Sequence, residues 1–307
     1  MVNKNRLAVA IAVYNGEYFL GEQIESIINQ KTNVDLYISI DFSSDNSLLI
    51  CQRFADMYPN VFLLPYGVRY GSAGQNFFRL LVDVDFSSYD YVAFADQDDV
   101  WFDFKLERAV EQLSVNKADG YSSNVTAFWP DGKQKLVKKD YPQTDFDYIF
   151  ESAGPGCTFV MTQKLTLAIK NSLITKKDGI RKIWLHDWYC YAFARSKGFK
   201  WLIDSMPTMA YRQHGGNEVG ANSGWKSFKS RAVSILSGDG ILKALNQASF
   251  LGLDDLQPVT MLCAGKRSAL FKLALFAHRC RRKPLDKLMF FLIFCWFAIR
   301  GLPLDES

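Results

Sequence analysis

Tyr91-Val92-Ala93-Phe94-Ala95 is an unbroken apolar run, and Asp96-Gln97-Asp98-Asp99 follows it directly. A short apolar run bounded by polar residues reads as a strand buried on both faces, the kind found in parallel sheets. Towards the N-terminus, Val61–Pro65, Val34–Ile40 and Leu7–Tyr14 have the same character. Between Tyr14 and Val34, Leu20, Ile24, Ile27 and Ile28 recur at the spacing of one helix face. Helices predicted over Ser47–Met57 and Asn76–Val82 complete a βαβα order. That order implies right-handed crossovers and an α/β, Rossmann-like sheet, mostly parallel and flanked by helices. In such sheets ligands sit in the loops at the carboxyl ends of the strands.

Those loops are Tyr14-Asn15-Gly16, Asp41-Phe42-Ser43-Ser44-Asp45, Gly71-Ser72-Ala73-Gly74-Gln75-Asn76 and Asp96-Gln97-Asp98-Asp99. None is a GxGxxG or a P-loop, which argues against a dinucleotide oxidoreductase and a Walker-type NTPase. They offer an aromatic ring, hydroxyls, bare backbone and carboxylates, groups that stack a base and accept from base N–H or ribose hydroxyls. Three carboxylates within four residues repel one another unless a cation or water screens them. Hard oxygen ligands select Mg²⁺ or Mn²⁺. The competing reading is an acidic cap for the helix predicted over Asp103–Leu113. Asp103 alone would serve that purpose, which leaves the preceding carboxylates unexplained.

The chain has 307 residues, 49% hydrophobic and 22% charged, with Gly 20 and Pro 9, which excludes collagen-like, low-complexity and disordered classes. Six cysteines form no CxxC pair, so neither a disulfide framework nor a zinc site is predicted, and a reducing cytoplasm is the expected compartment. The net charge of +4 is unevenly spread. From Trp225 onward there are 13 Lys/Arg against 6 Asp/Glu, while residues 1–224 carry 23 against 26. An acidic body with a basic tail fits cation-dependent chemistry in the first and an anionic surface for the second. A nucleic-acid binder is disfavoured, because no recognition motif interleaves with the basic residues.

The two ends carry signals of their own. Lys4 and Arg6 followed by Leu7–Val13 imitate a secretory signal, but the run is short and a turn follows at once. A buried strand is the better reading. Leu288–Ile299 is twelve residues without a charge. As a helix it is about 18 Å long, against a bilayer core of about 30 Å, so it cannot span. Lys283, Lys287 and Arg300 flank it, with Arg279, Arg281 and Arg282 upstream. This suits a segment lying in an anionic leaflet, and a buried core or oligomer helix is the alternative.

FADQDDVW (94–101), with AVYNGEYFLGEQIESI (12–27) before it, resembles the GT-A glycosyltransferases of family 2, nearest to their bacterial rhamnosyltransferase-like branch. SAGPGCTFV (152–160), LHDWYCYAFA (185–194) and YRQHGGNEVGA (211–221) are similar too, in the right order along residues 7–221. The resemblance implies a catalytic domain over 1–222 and a helical, basic segment over 223–307. It implies that Ala12, Tyr14, Asn15, Asp41, Gln75, Asp96 and Gln97 hold the nucleotide, and that Asp98 and His214 contact Mn²⁺ or Mg²⁺. Asp187 would be the catalytic base, with Gly156, Cys157, His186, Trp188 and Trp101 around the acceptor. One departure stands out: the family loop after the second strand often reads Asp-Asp-Gly-Ser, whereas here Asp41-Phe42-Ser43 keeps a single Asp.

Sugar transfer needs a leaving diphosphate whose charge is neutralised and a base for the acceptor proton. Asp187, at the start of an apolar helix, also reads as a plain N-cap, and a lone His such as His214 is more often structural. Gly215-Gly216 beside His214 suits a loop that closes over a ligand. Gly154-Pro155-Gly156 introduces a strand predicted over Cys157–Met161, and the tryptophans are mostly core residues by type. The expected activity is inverting transfer of a sugar, L-rhamnose by the branch, from a dTDP- or UDP-sugar to a lipid-linked oligosaccharide. The expected place is the inner face of the cytoplasmic membrane, with a homodimer through the C-terminal helices as the other use of the tail. A nucleotide-sugar pyrophosphorylase should carry a Gly-rich basic loop where Tyr14-Asn15-Gly16-Glu17 stands. A non-catalytic nucleotide- or glycan-binding module predicts binding without turnover.

Overall fold

Strand β1 (Leu7–Val13) is buried at every position, as its unbroken aliphatic sequence requires. It pairs in parallel with β2 (Val34–Ile40) on one side and β4 (Tyr91–Ala95) on the other. The computed structural model describes residues 5–214 and 237–302. Those residues fall into two compact units. The first draws on residues 5–140, 153–181 and 185–214, the second on 141–152, 182–184 and 237–302. The boundary expected at residue 222 lies outside the described residues, and the two short segments of the second unit have no counterpart in the sequence reading.

The first unit is a seven-stranded sheet in the order β10-β6-β9-β4-β1-β2-β3, with β3 at Val61–Leu63, β6 at Gly120–Ser123, β9 at Val160–Thr162 and β10 at Trp201–Asp204. Only β9 runs against its neighbours β4 and β6. Helices α1 (Leu20–Ile28), α2 (Ser47–Met57), α3 (Ala73–Asp83) and α4 (Lys105–Asn116) make the crossovers. A smaller sheet, β5-β11-β7-β8, joins Val100–Trp101, Met209–Arg212, Val125–Phe128 and Gln134–Val137. Here Met209 lies opposite Trp101 and Ala210 opposite Val100. That register delivers residues 212–214 beside Asp98 and Asp99.

Two local expectations change. Helix α4 starts at Lys105 after the N-cap Phe104, with no side-chain cap; Asp103 instead pairs with Lys31 at 3.3 Å. No carboxylate of the 96–99 loop caps it, because β5 intervenes. The strand predicted over Cys157–Met161 is a 3₁₀ turn at Gly156–Thr158 followed by β9.

The second unit is helical: α5 (Asp147–Phe150), α8 (Asp239–Leu251), α9 (Gln257–Ala264), α10 (Arg267–Leu275), α11 (Ala277–Cys280) and α12 (Pro284–Arg300). Helices α6 (Gln163–Thr175) and α7 (His186–Ser196) belong to the first unit. The core of the second unit buries Leu270, Leu273 and Ala274 of α10 with Phe290, Ile293, Phe294 and Phe297 of α12. At 17 residues α12 is about 26 Å long. No helix among the described residues is long and apolar enough to cross a membrane. The arginine cluster read as lipid-facing has another use. Arg279 pairs with Asp145 at 2.7 Å, Arg281 with Glu151 at 3.6 Å, and buried Arg282 with buried Asp147 at 3.5 Å. These ion pairs hold segment 141–152 to the helices.

Candidate active site

The loops after β1 and β2 are knitted together by their polar side chains. Asn15, at φ +46, accepts from Ser44 N–H at 2.9 Å and donates its own N–H to Ser43 at 3.1 Å. Gly16 N–H donates to Ser47 Oγ and Glu17 N–H to Asp45. The Gln97 amide pairs twice with the Tyr14 backbone, accepting at 2.8 Å and donating at 2.9 Å. A Cβ on Gly16 would lie 2.5 Å from Gln97 Oε1 and would push the Gln97 amide off the Tyr14 backbone. Asn15 and Gln97 thus shape the loops, and the Tyr14 ring, 46% exposed, is left open beside them. Ala12, opposite Ser39, is buried at the strand end.

Asp41 departs from its expected role. Its carboxylate accepts from the N–H groups of Phe42, Tyr70 and Gly71 at 2.7–2.9 Å and is buried. It anchors the 70–71 backbone to the end of β2. Phe42, where the family carries a small residue, stacks on Tyr66 at 5.9 Å, and both rings are exposed. Gln75 donates to Ile180 O at 3.1 Å, tying α3 to the 3₁₀ turn at Lys177–Lys182.

In the acidic loop the carboxylates part ways. Asp98 Oδ2 lies 2.7 Å from His214 Nε2, a pairing that spans 116 residues of sequence. Asp96 is half-buried, and its carboxylate lies within 4.8 Å of donor atoms of Asp99 and Cys157. Asp99 is fully buried, and burial, then the Asp96 and Asp98 charges, hold its carboxyl well above the usual range. Burial likewise raises the Cys157 thiol, so it stays protonated. Cys157 is buried, and its Sγ with carboxylate oxygens of Asp96 and Asp99 makes the one group of three ligand-type atoms within 4.8 Å of one another among the described residues. Asp98 and His214 form a separate carboxylate–imidazole pair on the same loop, and hard oxygen and imidazole donors of this kind are compatible with Mn²⁺ or Mg²⁺. The Gly215-Gly216 pair lies outside the described residues.

Asp187 sits in the first turn of α7, whose N-cap is Leu185, and accepts from Trp188 N–H at 2.6 Å. Its carboxylate is not the N-cap. Gly156 lies against this turn: a Cβ there would be 2.6 Å from His186 Nε2 and 3.1 Å from Asp187 Cβ. Gly156 touches Asp187, and the next residue, Cys157, touches the acidic loop. The 156–157 turn thus packs against both the first turn of α7 and the acidic loop.

The sequence profile described as Glycosyl transferase family 2 matches residues 8–184. The chain belongs to glycosyl transferase family 2. Among relatives of this transferase is the dTDP-rhamnosyl transferase RfbG of Shigella flexneri, 42% identical over 92% of this chain and 98% of that one. Another is the UDP-Glc:alpha-D-GlcNAc-diphosphoundecaprenol beta-1,3-glucosyltransferase WfgD of Escherichia coli, 25% identical over 56% of this chain and 66% of that one. Its fold is similar to S. aureus TarS 1–349 in complex with UDP-GlcNAc, with TM-score 0.56 at 15% identity, covering 96% and 90% of the two chains. It is also similar to the mannosyltransferase PcManGT from Pyrobaculum calidifontis in complex with GDP-Man and Mn2+, with TM-score 0.52 at 15% identity, covering 100% and 89%. These likenesses establish the GT-A fold.

The transferase buries three of the rings expected around the acceptor. Trp101 lies in β5 with Lys105 Nζ 4.6 Å over its face, and Trp188 is in the core of α7, so neither offers an open stacking face. His186 stacks on Phe77 at 3.8 Å, and neither ring nitrogen has a hydrogen-bond partner. Burial lowers its pKa to about 3. It is a neutral packing residue. Arg212 is a site residue that the sequence reading does not single out. Its N–H donates to Asp99 and its Nε to Asp98 O at 2.8 Å, and it pairs with Glu22. Its guanidinium lies between the Phe19 and Phe128 rings at 4.5 and 4.6 Å. Asn76 and Arg79, buried on α3, bind Ser39 and hold the ends of β1 and β2. A polar residue on the apolar face of α3 was the available signal.

Proposed function

We propose that this transferase moves L-rhamnose from dTDP-rhamnose to a hydroxyl of a lipid-linked surface-polysaccharide acceptor, with inversion, at the inner face of the cytoplasmic membrane. The observation that supports the reading is the pairing of Asp98 with His214 just after β4, with Gly156 packed against the turn of α7 that carries Asp187. Identity to RfbG over nearly its whole length supports the donor.

The Tyr14 ring and the loops after β1 and β2 receive the nucleotide. Asp96, Asp98 and His214 would hold Mn²⁺ or Mg²⁺, which when bound supplies Lewis-acid neutralisation of the diphosphate. Asp187 accepts the proton of the acceptor hydroxyl. The acceptor oxygen then forms its bond to the anomeric carbon as the bond from that carbon to the diphosphate oxygen breaks, and dTDP leaves. One displacement inverts the centre.

Calorimetric titration with TDP, UDP and GDP, each with and without Mn²⁺, tests the donor site alongside Asp98→Ala. Tight binding of TDP that needs both Mn²⁺ and Asp98 is expected. Preference for UDP would reassign the donor, and binding indifferent to Mn²⁺ and Asp98 would refute the site.

A further inference from the structure

Helix α12 has two apolar faces, and only one is used. Phe290, Ile293, Phe294 and Phe297 are buried in the helical unit. On the opposite side Leu285, Leu288, Leu292, Trp296 and Ile299 recur at intervals of three and four residues, each between 45% and 71% exposed. No charged residue interrupts the row, which runs about 21 Å along the helix. A lipid-lying segment and a buried core or oligomer helix are the sequence-based alternatives for this stretch, and the buried face fits a core helix.

We propose that this row is the membrane-docking surface of the transferase, lying flat in the headgroup boundary of an anionic bilayer. The charges around it select that occupant. Lys283, Lys287 and Arg300 bracket the row, and Lys266, Arg267 and Lys272 lie on or just before α10, the helix packed on α12. None of these six makes an ion pair among the described residues, unlike Arg279, Arg281 and Arg282. Unpaired cations beside an apolar row suit anionic headgroups over acyl chains. A second copy docked on the same row would bring the bracketing cations against their own kind. The helix is too short to span, so it lies in the interface. The inference rests on the lipid-linked acceptor reading in one respect only, that such a substrate places the enzyme at a membrane.

The test is vesicle flotation of the full chain with phosphatidylcholine alone and with 30% phosphatidylglycerol, scored by protein in the floating fraction. Wild type should float with the anionic vesicles only. The double variant Leu288→Glu/Leu292→Glu changes residues already exposed and should keep its circular dichroism spectrum and TDP binding. Its partition coefficient should fall at least about 100-fold, because two leucine side chains no longer bury apolar surface in the bilayer. The variant Lys283→Gln/Lys287→Gln/Arg300→Gln should lose most of the preference for anionic over neutral vesicles. Wild type that floats with neither vesicle, or a double variant that floats as well as wild type, overturns the proposal. So does wild type that dimerises in solution through this row, seen as a concentration-dependent mass that the double variant abolishes. Flotation needs no turnover, so transfer to a soluble acceptor analogue, assayed on the same proteins, reports separately on the catalytic reading.

Discussion

Replacing His186 by Leu should flatten the acid sensitivity of the fold. The imidazole is 5% exposed, stacked on Phe77 and edge-on to Phe94 at 5.4 Å, and neither nitrogen has a hydrogen-bond partner. Burial lowers its pKa from 6.5 to about 3. An unfolded chain therefore takes up a proton at this position as pH falls below 6.5, while the folded chain does so only near pH 3. Stability is at its full value above 6.5 and is lost progressively down to about 3, with a slope of about 1.4 kcal/mol per pH unit. Between pH 6 and pH 4 that amounts to about 2.5 kcal/mol, or about 4 °C in melting temperature for a chain of this size. Other groups titrate over the same range, so the quantity to measure is the change in Tm of wild type minus that of the variant, by calorimetry at several pH values. The wild-type change should be larger by that amount. Parallel curves, agreeing within 1 °C, would refute a buried neutral His186.

Three further outcomes follow from the site. Gly156→Ala should cost about 1–3 kcal/mol of stability and lower kcat at least about tenfold, because its Cβ would push His186 and Asp187 aside; thermal melts and steady-state kinetics check both. Arg212→Met should weaken Mn²⁺-dependent TDP binding about tenfold by calorimetry, since Arg212 ties the backbone at Asp98 to Glu22; unchanged binding would show that the loop holds its shape unaided. Asp187→Asn should leave TDP affinity within about twofold and reduce transfer about 10²–10⁴-fold; retained turnover would remove Asp187 as the base.

What the sequence made legible was what depends on local pattern. The strands at 7–13, 34–40 and 91–95 were visible because both their faces are buried, so apolar residues simply run on. The order of strands with intervening helices then led to the sheet edge. Residues whose partners are distant in the chain could not be read. Asp41 looks like a ligand because a strand-end carboxylate usually faces solvent, yet the 70–71 backbone closes on it. Arg212 looks like any basic residue of a strand until β11 pairs with β5 and lays it on Asp98 and Asp99. The rings of Trp101 and Trp188 gave no sign of which side they take.

The acidic loop makes the same point at the scale of four residues. By residue type alone Asp96, Asp98 and Asp99 are alike, only the family resemblance tells them apart, and their mutual repulsion is the argument for a cation. The structure relieves much of that repulsion by other means. Asp99 turns inward and accepts from the Arg212 N–H, in surroundings whose burial favours its neutral form. Lys105, also fully buried, has its pKa lowered to about 8 by the same burial. Asp96 and Asp98 are left half-buried at the rim, and Asp98 already faces an imidazole at 2.7 Å. On the proposed function, the need for a cation comes from the diphosphate held there and not from the loop alone. Mn²⁺ and TDP should accordingly bind together far more tightly than either does by itself, and calorimetry of Mn²⁺ without nucleotide is the control that separates the two origins.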